Sequence, residues 1–132
     1  MSQENVELVR QANKALWRRD RPTWLALHDE DFEVVPIRDW PEAGVRGRDA
    51  VRDFYVTIFD TYEWVPMANG EFVDGGADKV LVNPQYDLRG ARSGADVKFD
   101  YWLVATVRQG RMIRVQWFAD RVEALEAAGL RD

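Results

Sequence analysis

The sequence predicts an α+β domain in which helices pack on the concave face of a curved antiparallel sheet, leaving a conical space between the layers. Two changes of pattern and one register carry that reading. Apolar residues recur at helical spacing through three stretches of the first half, and from Tyr62 onward the period becomes two. In the last third, Val97 to Ala119 reads as a two-armed ribbon whose apolar residues fall opposite one another. The 132 residues, 46% hydrophobic and without a long Pro, Gly or Ser tract, are expected to form one domain over 1–132.

Ser2 caps the first helix, Glu4 meets its dipole, and Val6, Val9, Asn13, Leu16 and Trp17 carry an apolar side toward Arg19. Asp20 caps a shorter helix with Pro22 in its first turn and Trp24, Leu25, Leu27 and His28 on its buried side; Asp29, Glu30 and Asp31 end it. Phe32 to Ile37 is a strand, followed by a loop holding Trp40, Pro41 and Gly44. Arg46-Gly47 leads into a third helix, Arg48 to Phe59, whose Val51, Phe54, Tyr55, Ile58 and Phe59 form one stripe.

Strands follow at Glu63 to Met67, Glu71 to Asp74 and Lys79 to Leu88, separated by Asn69-Gly70 and by Gly75-Gly76-Ala77-Asp78, with a further loop from Arg89 to Asp96. In the ribbon, a three-residue Arg108-Gln109-Gly110 loop sets Val107 opposite Arg111. Ala105 then faces Ile113, Leu103 faces Val115, Tyr101 faces Trp117 and Phe99 faces Ala119, which makes one wall apolar. A two-residue Gln109-Gly110 turn would put Leu103 opposite Gln116 and scatter that set, so the longer loop is expected. The opposite face receives Trp102, Val104, Met112 and Phe118. Asp120, with Glu123 three positions on, caps a closing helix that Gly129 and Leu130 stop.

Zero cysteines exclude disulfides, thiolate nucleophiles and Cys-ligated metals, and a single histidine, His28, excludes sites needing two. The net charge of −5 and the dispersed basic residues argue against a nucleic-acid groove; Arg18, Arg19 and Arg21 sit where they compensate a helix C-terminus. No cofactor motif, metal site or membrane-length apolar run is present, and polar residues follow Met1, so a cytoplasmic protein is expected.

Six Trp, four Tyr and six Phe admit two accounts. They fill a core, or they line a ligand cavity built from Trp17, Trp40, Tyr55, Phe59, Tyr86, Tyr101 and Trp117. In the second account Leu103 and Val115 complete the wall. The outer cluster of Trp102, Val104, Met112 and Phe118 points to a homodimer interface; alternatively, the closing helix or a loop folds over it.

Three stretches resemble the SnoaL-like branch of the NTF2-like superfamily. They are Arg46-Gly47-Arg48-Asp49-Ala50-Val51-Arg52-Asp53-Phe54, then Glu71-Phe72-Val73-Asp74 with Val80-Leu81-Val82, and Gly110 through Leu130, especially Phe118-Ala119-Asp120-Arg121. The resemblance implies a cone-shaped fold, a small-molecule pocket between sheet and helices, and a homodimer through the outer sheet face. It leaves the activity open, because this superfamily hosts isomerases, cyclases, dehydratases, epoxide hydrolases and non-catalytic modules.

The acid-base sets those activities need do not map onto this chain. The isomerase base position falls at Val35 or Pro36 and its second acid near Leu103; the cyclase positions fall near Trp117 and Leu103. Asp100 and Arg114 occupy the epoxide hydrolase strands but alternate onto the wrong face. A dehydratase-like set would draw on His28 with Asp31 and on Tyr55, Tyr86 and Tyr101; if the protein is an enzyme, Tyr86 and Tyr101 are the expected donors and His28 or Asp31 the proton acceptor. The expected function is therefore a cofactor-independent binder of, or enzyme for, a small, largely apolar organic molecule; a non-catalytic ligand-binding or dimeric association module is the alternative.

Overall fold

The computed structural model describes residues 2–37, 44–66, 71–83, 86–90, 96–99 and 101–130, with side chains described over 3–16, 18–37, 44–57, 71–83 and 101–130. The elements run α1 (Ser2–Trp17), α2 (Arg21–Leu27), β1 (His28–Val35), β2 (Val45–Arg46), α3 (Arg48–Thr61), β3 (Tyr62–Pro66), β4 (Glu71–Asp74), β5 (Lys79–Asn83), β6 (Tyr86–Gly90), β7 (Asp96–Phe99), β8 (Trp102–Arg108), β9 (Arg111–Phe118) and α4 (Arg121–Ala127). Six strands form one sheet in the order β2-β1-β9-β8-β5-β4, and a second sheet has the order β3-β6-β7. The expected α+β cone is thus the architecture found, with three topological corrections. The expected strand Lys79 to Leu88 is two strands, β5 in the larger sheet and β6 in the smaller, and the first arm of the Val97 to Ala119 ribbon is likewise divided between β7 and β8. β1 pairs with β9 in parallel, so the larger sheet is mixed rather than antiparallel. Trp40, Pro41, Asn69, Gly70 and the middle of the Arg89 to Asp96 loop lie outside the described residues.

The β8–β9 hairpin departs from the expected loop. Arg108 pairs with Arg111, so the turn has two residues, Gln109 at φ 53° and Gly110 at φ 75°. Positive φ at both central positions is the type I′ conformation, whose twist matches that of paired strands. The scattering this turn would cause is cancelled by a bulge. Val107 pairs with Met112 but Thr106 with Arg114, leaving Ile113 as the extra residue. Beyond it Ala105 faces Val115 and Leu103 faces Trp117. The predicted faces of these four residues survive, their partners change, and Met112 moves to the inner face.

That register aligns whole rows across the sheet. On the inner face Val45, Val34, Val115, Ala105 and Val80 are successive partners over five strands. The next inner row is Trp117, Leu103, Val82 and Phe72. Onto this face pack Val6, Val9, Ala12 and Ala15 of α1, Trp24 of α2 and Val51 of α3. The α1 stripe also runs through Ala12 and Ala15, small residues that permit close approach, with Leu16 packed against the same core and Asn13 half-buried.

β1 begins four residues earlier than expected. His28 ends α2 and already pairs with Met112, and the acidic run stays in the strand because its side chains reach water while its backbone joins the sheet. A register shift between His28 and Glu33 absorbs the misfit. Short β2, expected as loop, pairs with β1 through Arg46 and Val45.

α4 packs on the other face of the sheet. Leu81, Val104, Ala124, Leu125 and Ala128 make a second apolar cluster, with Trp102, Phe118, Ala127 and Leu130 at its edge. Both ends of α4 follow the sequence reading: Asp120 Oδ1 accepts from the Val122 amide at 3.0 Å, and at the other end the Gly129 and Leu130 amides donate to Glu126 and Leu125. The helix end is pinned by the β4–β5 turn, where the Gly76 amide donates to the Ala128 carbonyl at 2.8 Å. Gly75 sits so close that a Cβ there would lie 2.4 Å from the Ala128 oxygen and 2.9 Å from that of Lys79.

His28 closes one end of the inner core. It is 2% exposed, its ring stacks on Trp24 with centroids 3.8 Å apart, and Phe32 meets it edge-on at 4.5 Å. Nδ1 lies 2.6 Å from the Trp24 carbonyl, which requires an Nδ1 proton to donate. Desolvation outweighs this bond and, with a small contribution from Arg48, lowers the pKa to about 4.

Two outcomes follow. Gly75→Ala forces backbone against backbone and should cost about 2 kcal/mol, a Tm drop of about 6–10 °C, whereas Gly76→Ala, with only ordinary contacts around its Cβ, stays near wild type. Because the folded His28 pKa is depressed, the unfolded chain binds the extra proton. Stability is then fully present above pH 6.5 and is lost as pH falls toward 4 by about 1.4 kcal/mol per unit, about 3 kcal/mol in all. Urea titrations from pH 7 to 4.5 should show that slope in the wild type and lack it in His28→Gln.

Candidate functional site

The parallel register of β1 and β9 gives the inner face two ends. At one, His28 pairs with Met112, and Trp24, Phe32 and Val107 are at most 2% exposed. At the other, β9 reaches Trp117, and burial gives way. Trp117 itself is buried, but Phe54, Tyr55, Tyr101 and Leu103 around it are only partly so. The valine and alanine row separates the two ends. The candidate site is the half-buried aromatic end.

Trp117 is its hub. Tyr101 lies nearly parallel to it, with centroids 6.4 Å apart at 14°, and Tyr55 does so at 6.3 Å and 28°. Phe54 is tilted at 38° with a centroid distance of 6.2 Å, and meets Tyr55 at 5.8 Å. Three separate elements supply these rings. β9 carries Trp117 inward by alternation, α3 brings Phe54 and Tyr55 one turn beyond fully buried Val51, and Tyr101 enters just before β8. Such a surface offers ring faces and aliphatic edges, with phenol groups as the polar handles.

The predicted residues divide accordingly. Tyr55, Tyr101, Leu103 and Trp117 come together at this end, while Val115 lies one row deeper, 5% exposed, and is part of the core floor. The backbones of Trp17, Phe59 and Tyr86 are placed in α1, α3 and β6, but their side chains, like the whole of Trp40, lie outside the described set. Phe54 was missed as a site residue. Its position on the α3 stripe was legible, whereas its contact with Trp117 depends on the bulge.

His28 and Asp31 do not belong to this constellation. Met112 beside His28 and Trp117 beside Tyr101 are separated by five residues of strand, about 15 Å. Asp31 is exposed, and its amide donates to Asp29 Oδ2 at 3.0 Å. His28 is a packing residue held by its stack, with Arg48 Nη1 donating to the carbonyls of Leu25 at 3.2 Å and His28 at 3.5 Å to clamp α2 to α3.

The positions expected of a dimer interface also divide. Met112 is 5% exposed in the inner core, turned there by the bulge, and Val104 is 4% exposed beneath α4. Trp102 and Phe118 remain half-buried at the edge of α4, where the Arg121 guanidinium lies 5.6 Å from the Trp102 ring centroid. The closing helix thus covers part of the outer cluster.

Elsewhere, a solvent-open groove of about 380 Å³ runs along α1 between Gln3, Glu4, Glu7, Leu8, Gln11 and Leu27, beside the sealed end. Among the described residues no three His, Cys, Asp or Glu side chains converge as metal ligands, and no helix is long and apolar enough to cross a membrane.

Comparison with known proteins shows what the fold is similar to. No curated relative matches the chain in sequence. An NTF2-like protein from Burkholderia xenovorans superposes with a TM-score of 0.80 at 26% identity, covering 98% of each chain. Bal32a, from a soil-derived mobile gene cassette, superposes at 0.73 and 18% identity over 96% of this chain and 97% of its own. TerC, crystallised with polyporic acid, does so at 0.68 and 21% identity over 93% and 96%. The SnoaL-like domain pattern matches residues 9–115, most of the length. On that match and that fold, the chain belongs to the SnoaL-like family of NTF2-like proteins.

Proposed function

We propose that this protein binds a small, largely apolar, ring-containing organic molecule at the Trp117 end of the inner face, with the Tyr55 and Tyr101 phenols orienting it. The observation that carries this reading is the gradient of burial along one face. At the His28 end Trp24, His28, Phe32 and Val107 are at most 2% exposed and Met112 5%, whereas at the Trp117 end Phe54, Tyr55 and Tyr101 are only partly buried. A core that only filled space would have little reason to gather Phe54, Tyr55 and Tyr101 partly exposed around one buried tryptophan. TerC, a structural neighbour crystallised with polyporic acid, is consistent with a ring-bearing guest.

Whether binding leads to turnover depends on groups near that edge. Tyr101 is the best-placed donor, and Tyr86 on β6 is the second candidate. His28 and Asp31 stand too far away to act as acceptors for a molecule held there. Without them, binding is the function the geometry supports best, and a cofactor-independent reaction at the same edge would have to draw on the phenols.

A homodimer through the outer face is the second reading, and Trp102 and Phe118 favour it because α4 leaves both partly uncovered. The contact would centre on these two rings and α4. Val104 would support them from beneath, and Met112, on the inner face, takes no part.

A thermal-shift screen of steroid, terpenoid and polyketide-like compounds tests the first reading. A guest at 100 times its Kd stabilises by about 2.7 kcal/mol, a rise of about 8–13 °C. Leu103→Trp, which fills the mouth with a ring, should abolish the shift while leaving the Tm of the free protein within a few degrees. Persistence of the shift in that variant, or no shift with any compound in the wild type, would count against the site. Light scattering tests the second reading: Trp102→Glu should yield a monomer, and a variant that remains dimeric removes Trp102 from the interface.

A further inference from the structure

The register that builds the inner core also sorts charge on the outer face. Arg46, Glu33, Arg114, Thr106 and Lys79 are successive partners across β2, β1, β9, β8 and β5, one row spanning about 19 Å. Beside it, next to the turn, Arg108 faces Arg111 directly. Alternation along β8 puts Arg108 on the same face as Thr106. Five cations therefore share this end of a sheet face in a protein whose net charge is −5.

Local pairing accounts for little of that charge. Glu33 Oε1 lies 3.6 Å from Arg114 Nε, with side chains 38% and 45% exposed, and the Lys79 ammonium donates to Thr106 Oγ1 at 3.0 Å. Arg46, Arg108 and Arg111 are exposed and form no ion pair among the described residues. The acids bordering the patch are Asp78 in the β4–β5 turn and Asp29, Glu30 and Asp31 on the bulged start of β1. Like charges directly opposite across a ladder are destabilising, so folding alone gives no reason for the Arg108–Arg111 pair. α4 covers the opposite end of the face, at Leu81 and Val104, and leaves this end open.

We propose that the outer face around Arg108, Arg111, Arg114 and Lys79 is a docking surface for an acidic segment of a partner protein. Guanidinium groups pair with carboxylates through two parallel hydrogen bonds, and a flat strand surface presents several at fixed spacing. This surface lies on the side of the sheet away from Trp117, so docking and small-molecule binding are separable.

The test is fluorescence anisotropy of a labelled hepta-glutamate peptide with the whole chain, at low and at 0.5 M salt. Binding at low salt should weaken at least tenfold in Arg108→Glu/Arg111→Glu. It should change little in Arg18→Glu/Arg19→Glu, which alters net charge equally at another site. Circular dichroism and Tm establish that both variants are folded, and Arg108→Gln/Arg111→Gln gives an intermediate loss if charge is the cause. Equal weakening in both charge-reversed variants, or no peptide binding, overturns the proposal. So does tighter binding to a heparin fragment or to phosphatidylserine vesicles than to the peptide. A charge reversal that changes only the oligomeric state would assign the patch to a second copy and overturn it as well.

Discussion

The structure depends on how β8 and β9 meet. A two-residue type I′ turn is the connection best suited to twisted strands, but taken alone it would put every second apolar residue of β9 on the wrong face. One extra residue, Ile113, reconciles the two demands. Turn geometry is satisfied at the tip, apolar alternation is satisfied beyond the bulge, and the local cost is a single disturbed pair. From that point the rows through Val115 and Trp117 extend to β1 on one side and to β5 and β4 on the other. The inner wall, the aromatic end and the outer row of charge all inherit their positions from it.

The helices read well from sequence because their signals are local. Asp20 accepts from the Thr23 amide at 3.3 Å, and Asp120 and Gly129 bound α4 as their residue types suggest. The alternation of Leu103, Ala105, Val115 and Trp117 was equally legible, since burial demands it. What escaped was set at a distance. No local signal marks Ile113 as a bulge, and nothing near Asp29 to Asp31 says that their backbone will be recruited by β9. The parallel pairing of β1 with β9 likewise joins segments about eighty residues apart. The coverage of Val104 by α4 depends on Gly75 and Gly76 receiving the helix end, a contact between two turns far apart in the chain.

The candidate site was legible in part for the same reason. Tyr55, Tyr101, Leu103 and Trp117 could be grouped from periodicity, because each lies on the apolar side of its own element. The ends of the cone could not be told apart without the register of β1 on β9. His28 illustrates the consequence. Its residue type suggests a proton acceptor, while its position at the α2–β1 junction stacks it on Trp24 and removes it from water. A histidine whose pKa is lowered by burial toward 4 is a neutral packing group at neutral pH.

The two ends therefore impose different physics on one apolar face. At the sealed end, stacked rings and an internal hydrogen bond use up the contacts available to His28, so that end contributes to stability. At the other end the same residue classes are left with exposed edges because α3 and the β7–β8 connection supply large rings at the boundary of the sheet. Apolar surface of that kind is costly to leave in water. Separating the two ends along one strand lets the edge residues vary without loosening the core, since the Val34, Val115, Ala105 and Val80 row isolates them. That insulation gives a physical reason why this architecture tolerates low sequence identity among proteins that share it.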